Sequence, residues 1–182
     1  MAQQIDMIET YYRKAQLPEG LRKDPARILK PEIMQLISSI ESGTFIHSII
    51  LLSGLRPGKT VSAAALLRAW LKSRRDVVDS GIPGYFLPIH QLCYQNRTVD
   101  RYTRDENLEQ VIRSAVKTDF LVMDGIFSYL TQNDDLLLHS IYDARQHSGK
   151  TTVVTTSITD PTACAGSVLY RIARDANIKV VY

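Results

Sequence analysis

Two apolar rhythms alternate along the chain. Short runs dominated by β-branched, leucine and aromatic residues occur at Ile49 to Leu52, Tyr85 to Ile89, Asp119 to Asp124, Thr151 to Thr156 and Ile178 to Tyr182. They are near-continuously apolar or β-branched, as expected of strands buried on both faces. Between them, apolar residues return every three or four positions, which is helical spacing. The pattern predicts helices over Ile5 to Ala15 (stripe Ile5, Ile8, Tyr11, Tyr12), Pro31 to Gly43 (Ile33, Met34, Leu36, Ile37, Ile40), Lys59 to Leu71, Asn107 to Val116, Leu136 to His147 and Gly166 to Ala176. Ile89-His90-Gln91-Leu92 opens a further helix that leads into a polar region from Tyr94 to Arg104. Pro31 suits a first helical position, and Leu17-Pro18-Glu19-Gly20 is turn chemistry. Strands alternating with helices predict an α/β protein, an open and mainly parallel sheet in three layers with helices on both faces. Residues 1–43 form N-terminal helices and a connector packing on a core of residues 44–182.

Composition narrows this little. A chain of 182 residues suits one domain, and 45% hydrophobic with 23% charged residues is ordinary for a globular protein. The longest apolar runs are far short of a membrane span and the N-terminus lacks a signal-peptide pattern, so a cytoplasmic protein without membrane contact is expected. Cys93 and Cys164 have no paired-cysteine spacing, which argues against a zinc site or a disulfide framework. A net charge of +3 permits nucleic-acid contact without requiring it.

Two stretches carry chemistry. Ile49 to Leu52 runs into Ser53-Gly54-Leu55-Arg56-Pro57-Gly58-Lys59-Thr60 and then into an alanine-rich helix. Strand, loop and helix in that order make a phosphate-binding loop, in which backbone N–H groups converge on an anion, a lysine adds charge and a hydroxyl reaches Mg²⁺. The loop departs from the motif: Gly54 and Gly58 enclose three residues rather than four, and Ser53 stands at the position of the first glycine. The competing reading is a Gly/Pro turn before a helix. The second stretch is the apolar strand ending in Asp124, where a carboxylate at the C-terminal end of a parallel strand can hold a nucleotide-bound Mg²⁺. An N-cap aspartate would give the same letters. Gly125 follows it, where ATPases of this kind place a second acid. Thr155-Thr156-Ser157 would lie beside Asp124. Arg97, Arg101, Tyr102 and Arg104 alternate cations with an aromatic, either as a single-stranded nucleic-acid surface or as a solvated loop.

In order and spacing, these residues resemble the helicase loaders of the DnaC type and the related IstB transposition ATPases, within the AAA+ class. The resemblance runs from about Tyr12 to Tyr182. It rests on Ala15-Gln16-Leu17-Pro18, Phe45, Leu52-Ser53-Gly54 through Gly58-Lys59-Thr60 with Ala63-Ala64-Ala65, Phe120 to Asp124, Arg145 before Thr155-Thr156-Ser157, Gly166 and Arg171-Ile172. It implies a P-loop AAA+ core binding ATP or ADP with Mg²⁺ through Ser53, Gly54, Gly58, Lys59, Thr60 and Thr156, with Thr60 and Asp124 at the metal. It also implies that Arg171, with Arg174 nearby, meets nucleotide in the same subunit or a neighbouring one. The partners implied are a replicative helicase or transposase, further AAA+ subunits in a homo-oligomer, and single-stranded DNA through Arg97, Arg101 and Tyr102. Three departures, the short loop, Gly125 in place of an acid and Ile158 in place of a sensor asparagine, predict slow hydrolysis or none. Loss of a water-positioning acid alone costs on the order of 10²-fold in rate. An active ATPase with Asp134 or Asp135 as the replacement acid, and an adaptor that binds no nucleotide, are the alternatives.

Overall fold

The computed structural model describes residues 2–23, 29–46, 48–74, 83–98, 106–127 and 129–182. In chain order the elements are α1 (Ala2–Lys14), α2 (Pro31–Glu41), β1 (Ile49–Ser53), α3 (Lys59–Ser73), β2 (Gly84–Pro88), α4 (Ile89–Thr98), α5 (Glu106–Lys117), β3 (Phe120–Ile126), α6 (Gln132–His147), β4 (Thr151–Thr156), α7 (Val168–Asp175) and β5 (Ile178–Val181). The strands form one sheet in the order β2-β3-β4-β1-β5, every pair parallel. The expected three-layer α/β architecture is therefore present.

Each face of the sheet buries a different half of the strand residues, because successive side chains point to opposite sides. Ile50, Leu52, Phe86, Phe120, Val122 and Val153 pack with α1, α2 and α3 through Tyr12, Ile33, Leu66 and Trp70. Their neighbours Ile49, Leu51, Leu87, Leu121, Met123 and Val154 pack under α4 to α7 with Leu92, Ala115, Tyr142 and Ile172. The sheet is thus sealed on both sides, which explains why β1 and β4 are buried at every position and show no polar alternation. By the same parity Asp124, two residues after Val122, is directed to the α3 side.

Helix ends follow local chemistry. The N-terminal helix closes in a Schellman turn: Leu17 N–H donates to Tyr12 O at 2.9 Å and Gln16 N–H to Arg13 O at 3.0 Å, with Gln16 at φ 57°. Ala15 O then accepts the Phe86 N–H at 2.7 Å, tying this turn to the edge strand β2. The α6 helix begins at Gln132, four residues before the expected Leu136. Thr131 caps it, its hydroxyl accepting the Asp134 N–H while the Asp134 carboxylate accepts the Thr131 N–H, both at 3.2 Å.

Asp134 also joins helices. It is fully buried, and accepts Arg97 Nε at 2.8 Å and Asn96 Nδ2 at 3.1 Å, holding the end of α4 against the start of α6. Burial alone would raise its pKa, but hydrogen bonds from Thr131, Arg97 and Asn96 outweigh it and hold the carboxyl at about 2. Since the folded value lies below the unfolded one, the stability from Asp134 is complete above about pH 4 and is lost as pH falls towards 2. That amounts to about 2 kcal/mol. Urea titrations of the native protein and Asp134→Asn between pH 2 and 5 should show a shallower pH dependence in the variant. Equal slopes would remove Asp134 from the acid transition.

Arg145 is the largest fully buried side chain. Its guanidinium donates to Ala115 O at 2.6 Å, Thr118 O at 2.7 Å, Thr152 Oγ1 at 3.0 Å and Thr151 O. These bonds fasten α6 to the turn between α5 and β3 and to the start of β4. Burial lowers the pKa to about 9, so the group stays charged at neutral pH.

Candidate functional site: a phosphate loop and its acid

The C-terminal end of β1 passes directly into the loop. Ser53 is its last, buried residue, and Gly54 turns the chain at φ 108°. A β-carbon on Gly54 would lie 2.2 Å from the Tyr182 carbonyl oxygen. Glycine is therefore required both by the left-handed backbone and by the approach of the chain after β5. Gly58 caps α3, and Lys59 is that helix's first residue. The Lys59 ammonium donates to Gly54 O and Arg56 O at 2.7 Å each, so it closes the loop from inside. Burial lowers its pKa and Asp124 opposes that shift. A cation at a helix N-terminus with a five-residue loop around it is an arrangement that can receive an anion.

Asp124 meets this loop through hydroxyls. Its Oδ1 accepts from Thr60 Oγ1 at 2.8 Å and from Thr155 Oγ1 at 2.7 Å. Thr155 accepts in turn from the Gly125 N–H at 2.8 Å. Loop, acid strand and the strand between them thus converge on one carboxylate oxygen. Thr60 and Asp124 present hard oxygen donors at one point, the donor set that Mg²⁺ takes when most of its remaining ligands are phosphate and water. Among the described residues no group of three or more His, Cys, Asp or Glu could hold a metal.

The structure places the other expected residues as follows. Thr156 points to the opposite face of β4, buried, its hydroxyl donating to Ile126 O at 2.7 Å and accepting from the Ile158 N–H at 3.1 Å. It does not face Lys59 or Asp124. Thr155 is the residue that does, and side-chain parity counted from Asp124 across a parallel pair would have found it. Gly125 sits in a register irregularity between Met123 and Ile126 at φ 80°, a conformation that an acidic side chain enters only under strain. Asp134 is spent on Arg97 and the α6 cap. Asp135 accepts the Val168 N–H at 3.0 Å and pairs with His139.

Arg171 pairs with Asp143 at 2.9 Å and Arg174 with Asp175 at 3.0 Å. Neither is brought to Lys59 or Asp124. Arg174 is the last residue but one of α7, three residues before Asn177, whose N–H bonds Ile49 O at the end of β1 opposite the loop, roughly 13 Å of strand away. Arg97 has its guanidinium on Asp134, with its side chain 45% exposed. Arg101 and Tyr102 lie outside the described residues.

Beside the loop opens a cavity of about 380 Å³. Leu29, Pro57 and Val61 supply apolar wall and Tyr182 an aromatic one. The Tyr182 hydroxyl bonds Ser62 Oγ at 2.6 Å, and Lys30 Nζ lies 4.7 Å from its ring centroid. A cavity with apolar and aromatic walls and a few polar groups at its edge is of the kind that takes flat organic groups.

A parallel sheet whose first strand feeds a lysine-bearing loop, with β4 inserted between that strand and the strand of the acid, defines a P-loop α/β protein. Its fold is that of the DnaC-type AAA+ core. The chain superposes on the crystal structure of DnaI with a TM-score of 0.68 at 12% identity, over 91% of this chain and 94% of that one. For the crystal structure of the DnaC helicase loader the values are 0.64 and 17%, over 95% and 98%. For AMPPCP-bound DnaA from Aquifex aeolicus they are 0.58 and 13%, over 85% and 48%. At these identities the likeness is one of fold. No protein-family model matches the sequence, and a search of curated proteins finds no match.

Proposed function

We propose that this protein is a nucleotide-binding AAA+ module of the helicase-loader kind, which binds ATP or ADP with Mg²⁺ and uses it to hold an assembly rather than to turn it over rapidly. The observation that carries this reading is the convergence of Thr60 and Thr155 on Asp124 Oδ1 beside the Lys59 loop. The aromatic-walled cavity next to the loop supports a purine base there, and AMPPCP is the ligand of one structural neighbour. Slow turnover follows from a glycine at position 125 and from Asp134 and Asp135 being engaged elsewhere. A replicative helicase is the partner favoured by likeness to a helicase loader; a transposase is the alternative within the same resemblance. Arg171 and Arg174 pair with Asp143 and Asp175 rather than with Lys59 or Asp124, which favours their meeting nucleotide across a neighbouring subunit of a homo-oligomer over meeting it in the same subunit. Single-stranded DNA contact rests on Arg101 and Tyr102, with Arg97 already held by Asp134.

Titration with a fluorescent ATP analogue in Mg²⁺ tests the reading. Saturable binding is expected, weakened on the order of 10²-fold in Lys59→Ala, since a charged hydrogen bond to phosphate is worth roughly 1.5–3 kcal/mol. Phosphate release should stay slow in the same samples. Rapid release that disappears in Lys59→Ala would make the protein an active ATPase, and absence of binding would leave an adaptor with a P-loop fold.

A further inference from the structure

The Thr155 hydroxyl has its direction fixed from both sides. Its oxygen accepts the Gly125 N–H, and its proton goes to Asp124 Oδ1. The residue is 2% exposed and stands in register with Leu52, one position before the end of β1. It thus lies between the loop strand and the acid strand, where it donates to the same carboxylate oxygen that Thr60 reaches. The Gly125 amide makes its bond to Thr155 from a residue held at φ 80°. The residue standing where a hydrolytic acid is expected therefore contributes a backbone donor instead.

Building on the nucleotide-binding reading, we propose that Thr155 is a positioning residue for metal-bound nucleotide: it keeps Asp124 oriented, so that Asp124 and Thr60 meet a divalent cation arriving on phosphates without rearrangement. Gly125, Thr155 and Asp124 then form one unit that favours retention of metal and nucleotide over activation of water. When bound, the ion would screen phosphate charge. What this chain contributes is a carboxylate whose rotation is already restricted, which lowers the cost of binding.

Affinity for the fluorescent ATP analogue, measured in Mg²⁺ and in EDTA, separates this role from packing. Thr155→Val keeps the shape and removes the hydroxyl, and Thr155→Ser keeps the hydroxyl. The expected result is unchanged affinity in EDTA for all three proteins, a Mg²⁺ enhancement reduced about tenfold in Thr155→Val, and its recovery in Thr155→Ser. Mn²⁺ bound in the complex, counted by electron paramagnetic resonance, should fall in parallel. An undiminished Mg²⁺ enhancement in Thr155→Val overturns the positioning role while leaving the nucleotide site intact. An equal loss with and without metal shows a packing role and overturns it too. If the native protein binds the analogue in neither condition, the nucleotide reading fails and the proposal fails with it.

Discussion

Arg145→Ala is expected to cost on the order of 3–5 kcal/mol of folding stability, from the charge-assisted hydrogen bonds lost and the cavity left behind. The substitution strips hydrogen bonds from the carbonyls of Ala115, Thr118 and Thr151 and from the Thr152 hydroxyl, and leaves a cavity where the largest fully buried side chain stood. Arg145→Met fills much of the volume but removes the same hydrogen bonds, so it should recover part of the loss. Arg145→Lys should also fall short, because one ammonium cannot span acceptors on α5, the following turn and β4 as a planar fork does. Urea denaturation of the four proteins measures this, and an alanine variant within 1 kcal/mol of the native protein would show that the network contributes little.

Gly54→Ala should have the second largest effect. The added carbon would meet backbone, the Tyr182 carbonyl at 2.2 Å, and φ 108° is unfavourable for any residue with a side chain. Overpacking and backbone strain together suggest a loss of about 2–4 kcal/mol. The damage should be local at first. Tyr182 N–H, bonded to Ser53 O at 2.7 Å, should lose hydrogen-exchange protection ahead of the amides of β3 and β4. Uniform exchange across the sheet, or unchanged stability, would mean that the close approach of Tyr182 does not hold the strand in place. Nucleotide affinity should fall in the same variant, since Gly54 O is one of two carbonyls that hold Lys59.

The features legible from sequence are those set by local order. Strand, glycine loop and lysine at a helix start are consecutive residues, and β1, the loop and α3 follow one another where they predict it. The place of Asp124 was legible too, because an apolar run of this length reads as a buried strand and carries the acid near its C-terminal end. What escaped depends on which strands become neighbours. The choice between Thr155 and Thr156 turns on parity relative to Asp124, and parity is defined only once β4 is known to lie beside β3. The role of Arg145 is invisible for the same reason, its acceptors being spread over three elements. Arg97 read as a surface cation because its partner lies 37 positions away. The early start of α6 is different: Thr131 and Asp134 have capping-box spacing, and that local signal was present in the sequence.

The position of β1 in the sheet has a consequence for biosynthesis. Both of its neighbours, β4 and β5, are encoded downstream, and Ser48 meets Thr151 across 103 positions. Translation at about 5–20 residues per second leaves roughly 5–20 s during which Ile49 to Leu52 are made but have no partner strand. Over that interval an apolar, β-prone segment with both edges open must be shielded by α2 and α3 or by a chaperone. A nascent chain arrested before Thr151 should therefore be far more prone to aggregate than one released after Val181, even though its phosphate loop is already synthesised.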